Sequence, residues 1–259
     1  MTSEPSRLYT RLAETAEDLI AAQRVRYEVF VKELGSDGPD VDHDARLEKD
    51  RFDAHFDHLL LIDPDAPDEA LNGVVGVYRL LRDDQAKEIG QFYSEDEYDL
   101  SVLKSSGRKL LELGRSCLLS DYRGGTGMYL LWNGLADYVQ SNEIEILFGV
   151  ASFHGTDMAQ FAAPLSLLYH RHLAPEELRV RAVGSAYQSM DLIAKDDLDA
   201  KSAMLATPAL IKAYLRLGGF VGDGAYIDHA FNTIDVCLIL DTERMNARQR
   251  NIYQKAGRA

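Results

Sequence analysis

Lys109-Leu-Leu-Glu-Leu-Gly-Arg-Ser-Cys-Leu-Leu119 is an apolar run of strand length interrupted at Gly114, where a bulge is expected. The turn Arg123-Gly-Gly-Thr-Gly127 follows, and Met128–Val139 then carries Leu130, Leu131, Leu135 and Val139 on one side of a helix. Strand, glycine turn and helix in that order put free backbone N–H groups at a helix start, an anion-binding arrangement. Upstream, His58–Ile62 and Gly73–Leu81 read as antiparallel strands joined by the Pro-, Asp- and Asn-rich turn Asp63–Asn72. Arg7–Leu12 alternates like a first strand. Thr15 and Asp18 have the spacing of a capping box, opening a helix that runs to about Leu34 and stops at Gly35. Its apolar face is Leu19, Ala22, Val25, Val29 and Phe30. Downstream, Ile144–Val150 and Asn232–Leu240 read as strands, and Asp157–Tyr169 and Pro208–Leu217 as helices. This mixture predicts an α+β fold, a mixed central sheet flanked by helices, in one domain over residues 1–259 with a C-terminal extension from about residue 200.

Composition narrows the function. A net charge of −14 repels phosphate backbones, so no nucleic-acid partner is expected. Met1–Arg11 lacks the apolar stretch of a signal peptide, and no run of about 18 apolar residues occurs, so a cytoplasmic location is expected. The two cysteines, Cys117 and Cys237, sit inside apolar strand-like runs and read as reduced core residues. Arg244–Ala259 reverses the overall sign, with Arg244, Arg248, Arg250, Lys255 and Arg258 and no acidic residue. It reads either as a solvated final helix or as a landing site for an acidic carrier protein or the anionic inner-membrane surface.

Four groups of residues stand out together. Arg26 and Phe30 lie one turn apart on the first helix, and the long acidic loop Ser36–His55 contains Glu48-x-Asp50-x-x-Asp53. The second hairpin strand carries Gly76-x-x-Arg79-Leu80-Leu81, and the next strand Glu112-x-x-Arg115. Singly, each reads as ordinary solvated charge. In this order and spacing they resemble the acyl-homoserine lactone synthases and their relatives, the amino-acid N-acyltransferases of the GNAT-like superfamily. Within that group the chain is most similar to the bacterial ornithine lipid synthases. Leu111–Cys117, Leu131-Trp-Asn-Gly-Leu135, Ala151–Asp157, Tyr214–Gly219 and Val221-Gly-Asp-Gly-Ala225 carry this likeness.

The resemblance implies transfer of a 3-hydroxyacyl chain from acyl carrier protein to the α-amine of ornithine, giving lyso-ornithine lipid; glutamine is a second acceptor known for this enzyme type. It implies no cofactor, because the donor is a 4'-phosphopantetheine thioester on the carrier. Arg123, Gly124, Gly125 and Gly127 are expected to hold the phosphopantetheine phosphate. They stand one residue out of register with the GNAT pattern Arg/Gln-x-x-Gly-x-Gly/Ala, a departure that suits a carrier-protein donor better than coenzyme A.

The chemistry asks for specific groups. An α-ammonium has no lone pair, so a carboxylate or a water bound to one must take its proton. Glu48, Asp50 and Asp53 are candidates together with Glu112, and mutual repulsion among grouped carboxylates would raise one of them toward a useful range, with Glu48 favoured. Arg26, Arg79 and Arg115 compete to grip the acceptor carboxylate, the others pairing with the acids to hold the pocket rigid. A purely structural acid–base lattice is the alternative. The break at Gly114–Ser116 is the expected place for a donor to the thioester oxygen, with Ser116 or Cys117 as a covalent nucleophile the other option. His154 and Asp157 occupy a loop after a strand and are candidate substrate contacts. Phe30, Phe92, Phe148 and Leu165–Leu168 could line an acyl tunnel or simply form core. His170-Arg171-His172 lacks ligand spacing, so no metal is expected. A lactone-type signal synthase and a non-catalytic carrier-binding protein remain as alternatives.

Overall fold

Thr15 opens the first helix as its spacing requires. Its hydroxyl accepts from the Asp18 amide at 3.1 Å, and the Asp18 carboxylate accepts from the Thr15 amide at 3.3 Å. Arg11 clamps the same carboxylate with two bonds of 2.7 Å, tying the first strand to the helix start. The computed structural model describes residues 7–245. Its elements in chain order are β1 (Tyr9–Leu12), α1 (Ala16–Arg26), a π-helical segment (Tyr27–Glu33), β2 (Asp57–Ile62), β3 (Val74–Arg82), α2 (Asp83–Ile89), β4 (Tyr98–Asp99), α3 (Ser101–Lys104), β5 (Leu110–Leu118), α4 (Thr126–Ser141), β6 (Ile146–His154), α5 (Ala162–His172), β7 (Arg181–Ala182), β8 (Tyr187–Gln188), α6 (Ala200–Ala206), α7 (Ala209–Arg216), β9 (Phe220–Val221), β10 (Ala225–Asp228) and β11 (Thr233–Asp241). The chain divides into two compact units, one of residues 7–81 and 113–142, the other of 82–112 and 143–245.

In the first unit the strand order is β1-β2-β3-β5, with β1, β2 and β3 antiparallel. The two-residue period of β2 serves two helices. Leu60 and Ile62 pack with Ala21, Ala22, Val25 and Val29 of the first helix and with Val77 and Cys117. Leu59 and Leu61 approach Gly134 and Gly127 of α4. Each such buried leucine contributes about 1.5–3 kcal/mol over leaving it in water. Gly76 is required by this packing, since a Cβ there would fall 2.3 Å from Leu118 Cδ2 and 3.3 Å from Leu131 Cδ1. The first helix departs from expectation in its second half: it is α-helical only to Arg26, and the Leu34 amide bonds to Val29 O, five residues back.

In the second unit the order is β5-β6-β11-β10-β8, with β9 also on β11, and β4 and β7 form a separate pair. β5 and β6 run parallel over Leu110–Glu112 with Ile146–Phe148, and β6 and β11 pair antiparallel along their whole lengths. The sheet is therefore mixed and helix-flanked, as expected. β11 is buried at every position, so it is covered on both faces. Phe92 and Phe148 stack edge to face at 5.0 Å and, with Leu165, Leu167 and Leu168, belong to this unit's core. The helix expected from Asp157 begins at Ala162, because the Asp157 carboxylate turns back onto the Ala159 amide at 3.0 Å. Among the described residues no helix is long and apolar enough to cross a membrane. The basic segment beyond Met245 lies outside the described residues; Arg244 bonds Asp241 and Glu177.

Candidate active site

Six of the sequence-predicted residues meet in the first unit. Arg26 stands at the end of α1, Arg79 near the end of β3 and Arg115 in β5, and the loop before β2 brings Glu48, Asp50 and Asp53 among them. Arg26 Nε donates to Glu48 Oε2, and its Nη1 to Asp53 Oδ1 at 2.6 Å. Arg79 Nη1 donates to Asp50 Oδ2 at 2.6 Å and to Asp53 Oδ1 at 2.8 Å. Arg115 Nε donates to Glu48 Oε1 at 3.1 Å, with its Nη2 3.6 Å from Asp50 Oδ2. Three guanidiniums thus balance three carboxylates. The Arg79 guanidinium also lies 4.2 Å from the centre of the Phe56 ring, a cation–π contact.

Exposure separates the members. The Arg26 and Arg79 side chains are 0% exposed and that of Glu48 2%, whereas Asp50 and Arg115 keep 11% each. Arg26 and Arg79 are interior ties, and Arg115 with Asp50 forms the edge a ligand can reach. The electrostatics reverse the sequence expectation that neighbouring acids raise one another. Burial alone would raise the Glu48 carboxyl, but Arg26 and Arg115 outweigh it and hold it at about 2. Asp53, also buried, is held well below the usual range by Arg26 and Arg79. The arginines are interleaved with the acids, so each carboxylate meets opposite charge first.

Arg115 adopts φ 52°, the left-handed region, inside a strand. The expected break in β5 therefore falls on the arginine, one residue after Gly114. Such a conformation costs of order 1–3 kcal/mol and persists only where neighbours enforce it, here Glu48 and Asp50. Next to it the Ser116 hydroxyl oxygen is buried and has no hydrogen-bond partner among the described residues. Burial pushes the Cys117 thiol up to about 12, which removes it as a nucleophile near neutrality. Phe30, in the π-helical segment, packs at the margin of the apolar cluster containing Val25, Val29 and Cys117.

Glu112 belongs to the second unit, where its carboxylate accepts from the Tyr93 and Ser94 amides at 2.7 Å and from the Ser94 hydroxyl. His154 and Asp157, both exposed, are in that unit too. Arg123, Gly124, Gly125 and Gly127 form the start of α4 as anticipated, and Gly124 and Gly125 have open space around them. The Arg123 guanidinium is held in place, Nε on Leu118 O at 2.9 Å and both Nη atoms on Glu33. His170 Nε2 bonds to Ile193 O at 2.9 Å, a structural tether.

Sequence reasoning missed Gln23, His58 and Glu33. Gln23 is one helical turn before Arg26, and His58 pairs directly with Arg79 across the hairpin, so helix spacing and strand register together could have found the first two.

Comparison with known proteins agrees with this geometry. Residues 25–133 match the model of an acetyltransferase (GNAT) domain. The chain is 57% identical over 255 residues to the L-ornithine N(alpha)-acyltransferase of Rhodobacter capsulatus, covering 98% of both chains. It is 43% identical to that of Brucella abortus, covering 95% of this chain and 88% of the relative. In fold it is similar to the AHL synthase LasI (TM-score 0.50, 17% identity, 97% and 96% covered). The CoA-dependent acyl-homoserine lactone synthase BjaI is likewise similar (TM-score 0.52, 12% identity, 96% and 89% covered). With near-complete coverage at this identity, the chain belongs to the L-ornithine N(alpha)-acyltransferase family.

Proposed function

We propose that this chain transfers a 3-hydroxyacyl group from the phosphopantetheine thioester of acyl carrier protein to the α-amine of ornithine. The relatives' names support the acceptor and the N-acylation. The observation that carries the chemistry is the charge-balanced lattice with Arg115 and Asp50 at its accessible edge. Arg115 grips the ornithine carboxylate, while Asp50, directly or through a water, accepts the proton that frees the amine. Glu48, held at about 2, is a poor proton acceptor and serves to fix Arg26 and Arg115. The amine nitrogen attacks the thioester carbonyl, forming the C–N bond. As the tetrahedral intermediate collapses, the C–S bond breaks and the carrier thiol leaves with the second amine proton. Donors beside the Arg115 turn, including the Ser116 hydroxyl, stabilise the oxyanion, about 3–4 kcal/mol for one well-placed donor.

The carrier's phosphate docks at the start of α4, whose 16 residues align their dipole with an N-cap that offers no side-chain acceptor. Arg123 then exchanges Glu33 for phosphate. A lipid product favours peripheral contact with the inner membrane, and Arg244–Ala259 supplies positive charge for it. The test is incubation of purified protein with 3-hydroxyacyl carrier protein and either ornithine or glutamine, following thiol release and product mass. N-acylornithine is the expected product. Release with glutamine alone would change the acceptor, and no release with either would overturn the reading.

A further inference from the structure

We infer that Gln23 and His58 are positioning residues for the acylation: through Asp53 they hold Arg26 and Arg79, the inner guanidiniums against which Glu48, Asp50 and Arg115 are set. The inference rests on the reading of that lattice given above. Asp53 is its hub. Oδ1 accepts from Arg26 and Arg79, and Oδ2 from Gln23 Nε2 at 2.9 Å and the Asp50 amide at 3.3 Å. Its carbonyl accepts from His58 Nε2 at 2.9 Å. Gln23 acts twice, because its own carbonyl accepts the Glu48 amide at 3.2 Å. One side chain and its backbone thus set both ends of the Glu48–Asp53 loop.

The residue types suit the task. Three arginines and three carboxylates already balance, so any further donor must bring an N–H without a charge. Gln23 and His58 do this, at 8% and 4% exposure. A carbonyl cannot donate, so His58 carries its proton on Nε2, and Nδ1, buried and unpartnered among the described residues, keeps the lone pair. Burial, with Arg26 and Arg79 adding to it, pushes the imidazole down to about 4, so it is neutral when the enzyme works. The hairpin register sets His58 opposite Arg79, which lets one ring reach the loop that Arg79 also grips.

The test is steady-state kinetics with ornithine and 3-hydroxyacyl carrier protein on His58→Leu, His58→Gln and Gln23→Leu, with Arg115→Ala as control and thermal melting to establish folding. Glutamine places a neutral N–H where the imidazole Nε2 stands, whereas leucine supplies none. His58→Leu and Gln23→Leu are expected to lower kcat/KM for ornithine about 30- to 100-fold with KM for the acyl donor little changed, and His58→Gln to recover to within about three-fold of the parent. Wild-type kinetics in folded His58→Leu and Gln23→Leu would overturn the inference, as would His58→Gln performing no better than His58→Leu. If His58→Leu does not fold, Gln23→Leu and His58→Gln decide. Loss of ornithine turnover in Arg115→Ala with normal turnover in the other variants fails this inference alone. Normal turnover in Arg115→Ala fails the lattice reading, and the inference with it.

Discussion

Glu48 and Glu112 are equally hidden, 2% and 1% exposed, yet they are buried by different means. Glu48 sits between the guanidiniums of Arg26 and Arg115, whereas Glu112 accepts from two amides and a hydroxyl on the turn Tyr93–Asp96. Backbone amides pin a carboxylate in place, since main-chain donors are fixed by the fold. A carboxylate held by arginines shares them with whatever anion arrives at the edge. The same residue type, equally prominent in sequence, therefore has different prospects in the two units.

The difference can be broken from the reactive side first. Arg115→Ala is expected to cost about 10³-fold or more in kcat/KM with only modest loss of stability, measured by thiol release and thermal melting. Asp53→Asn strips the hub of its charge and leaves buried guanidiniums uncompensated, so denaturant unfolding should show a loss of about 3–5 kcal/mol. Acid sharpens the contrast. The folded His58 value of about 4 lies below its ordinary 6.5, with Arg26, Asp53 and Arg79 facing the ring. Its contribution is fully present above 6.5 and should fade by about 3 kcal/mol as pH falls through 4. Glu48 and Asp53, also depressed, lose theirs at lower pH still, from about 4.5 downward. A chemical-unfolding series from pH 7 to 4 should therefore decline, and His58→Gln should flatten its upper part. Glu112→Gln should cost about 1–3 kcal/mol in stability while the folded fraction keeps its turnover; lost turnover at an unchanged Tm would instead bring Glu112 into the chemistry. The smallest effect is Thr15→Ala, about 1 kcal/mol by loss of the capping box, with kinetics unaltered.

Much of this was legible in the sequence because it is local. The capping box, the hairpin strands, the strand–turn–helix and the apolar faces follow from neighbours within a few residues. The charged motifs were legible as a set, and six of their residues converge. The sign of the carboxylate shifts was not legible, because it depends on arginines 22 to 67 residues away in sequence reaching Glu48 before another acid does. Glu112 and Arg115, three residues apart, look like one motif, but Glu112 accepts from Tyr93 and Ser94 while Arg115 donates to Glu48, and β5 is shared between the two units. The late short elements, α6 and β8 to β10, are too brief for any periodicity to register.

The π-helical segment has one last consequence. Winding Tyr27–Glu33 more loosely than an α-helix turns every later side chain relative to Arg26, and one residue of an α-helix corresponds to roughly 100°. The segment sets the angle between two ion-paired side chains on one continuous helix. Arg26 at its start faces the lattice, and Glu33 at its end reaches Arg123. Rewinding it to α geometry would turn Glu33 relative to Arg26, so the looser coil lets a single rod hold both the lattice and the Glu33–Arg123 pair.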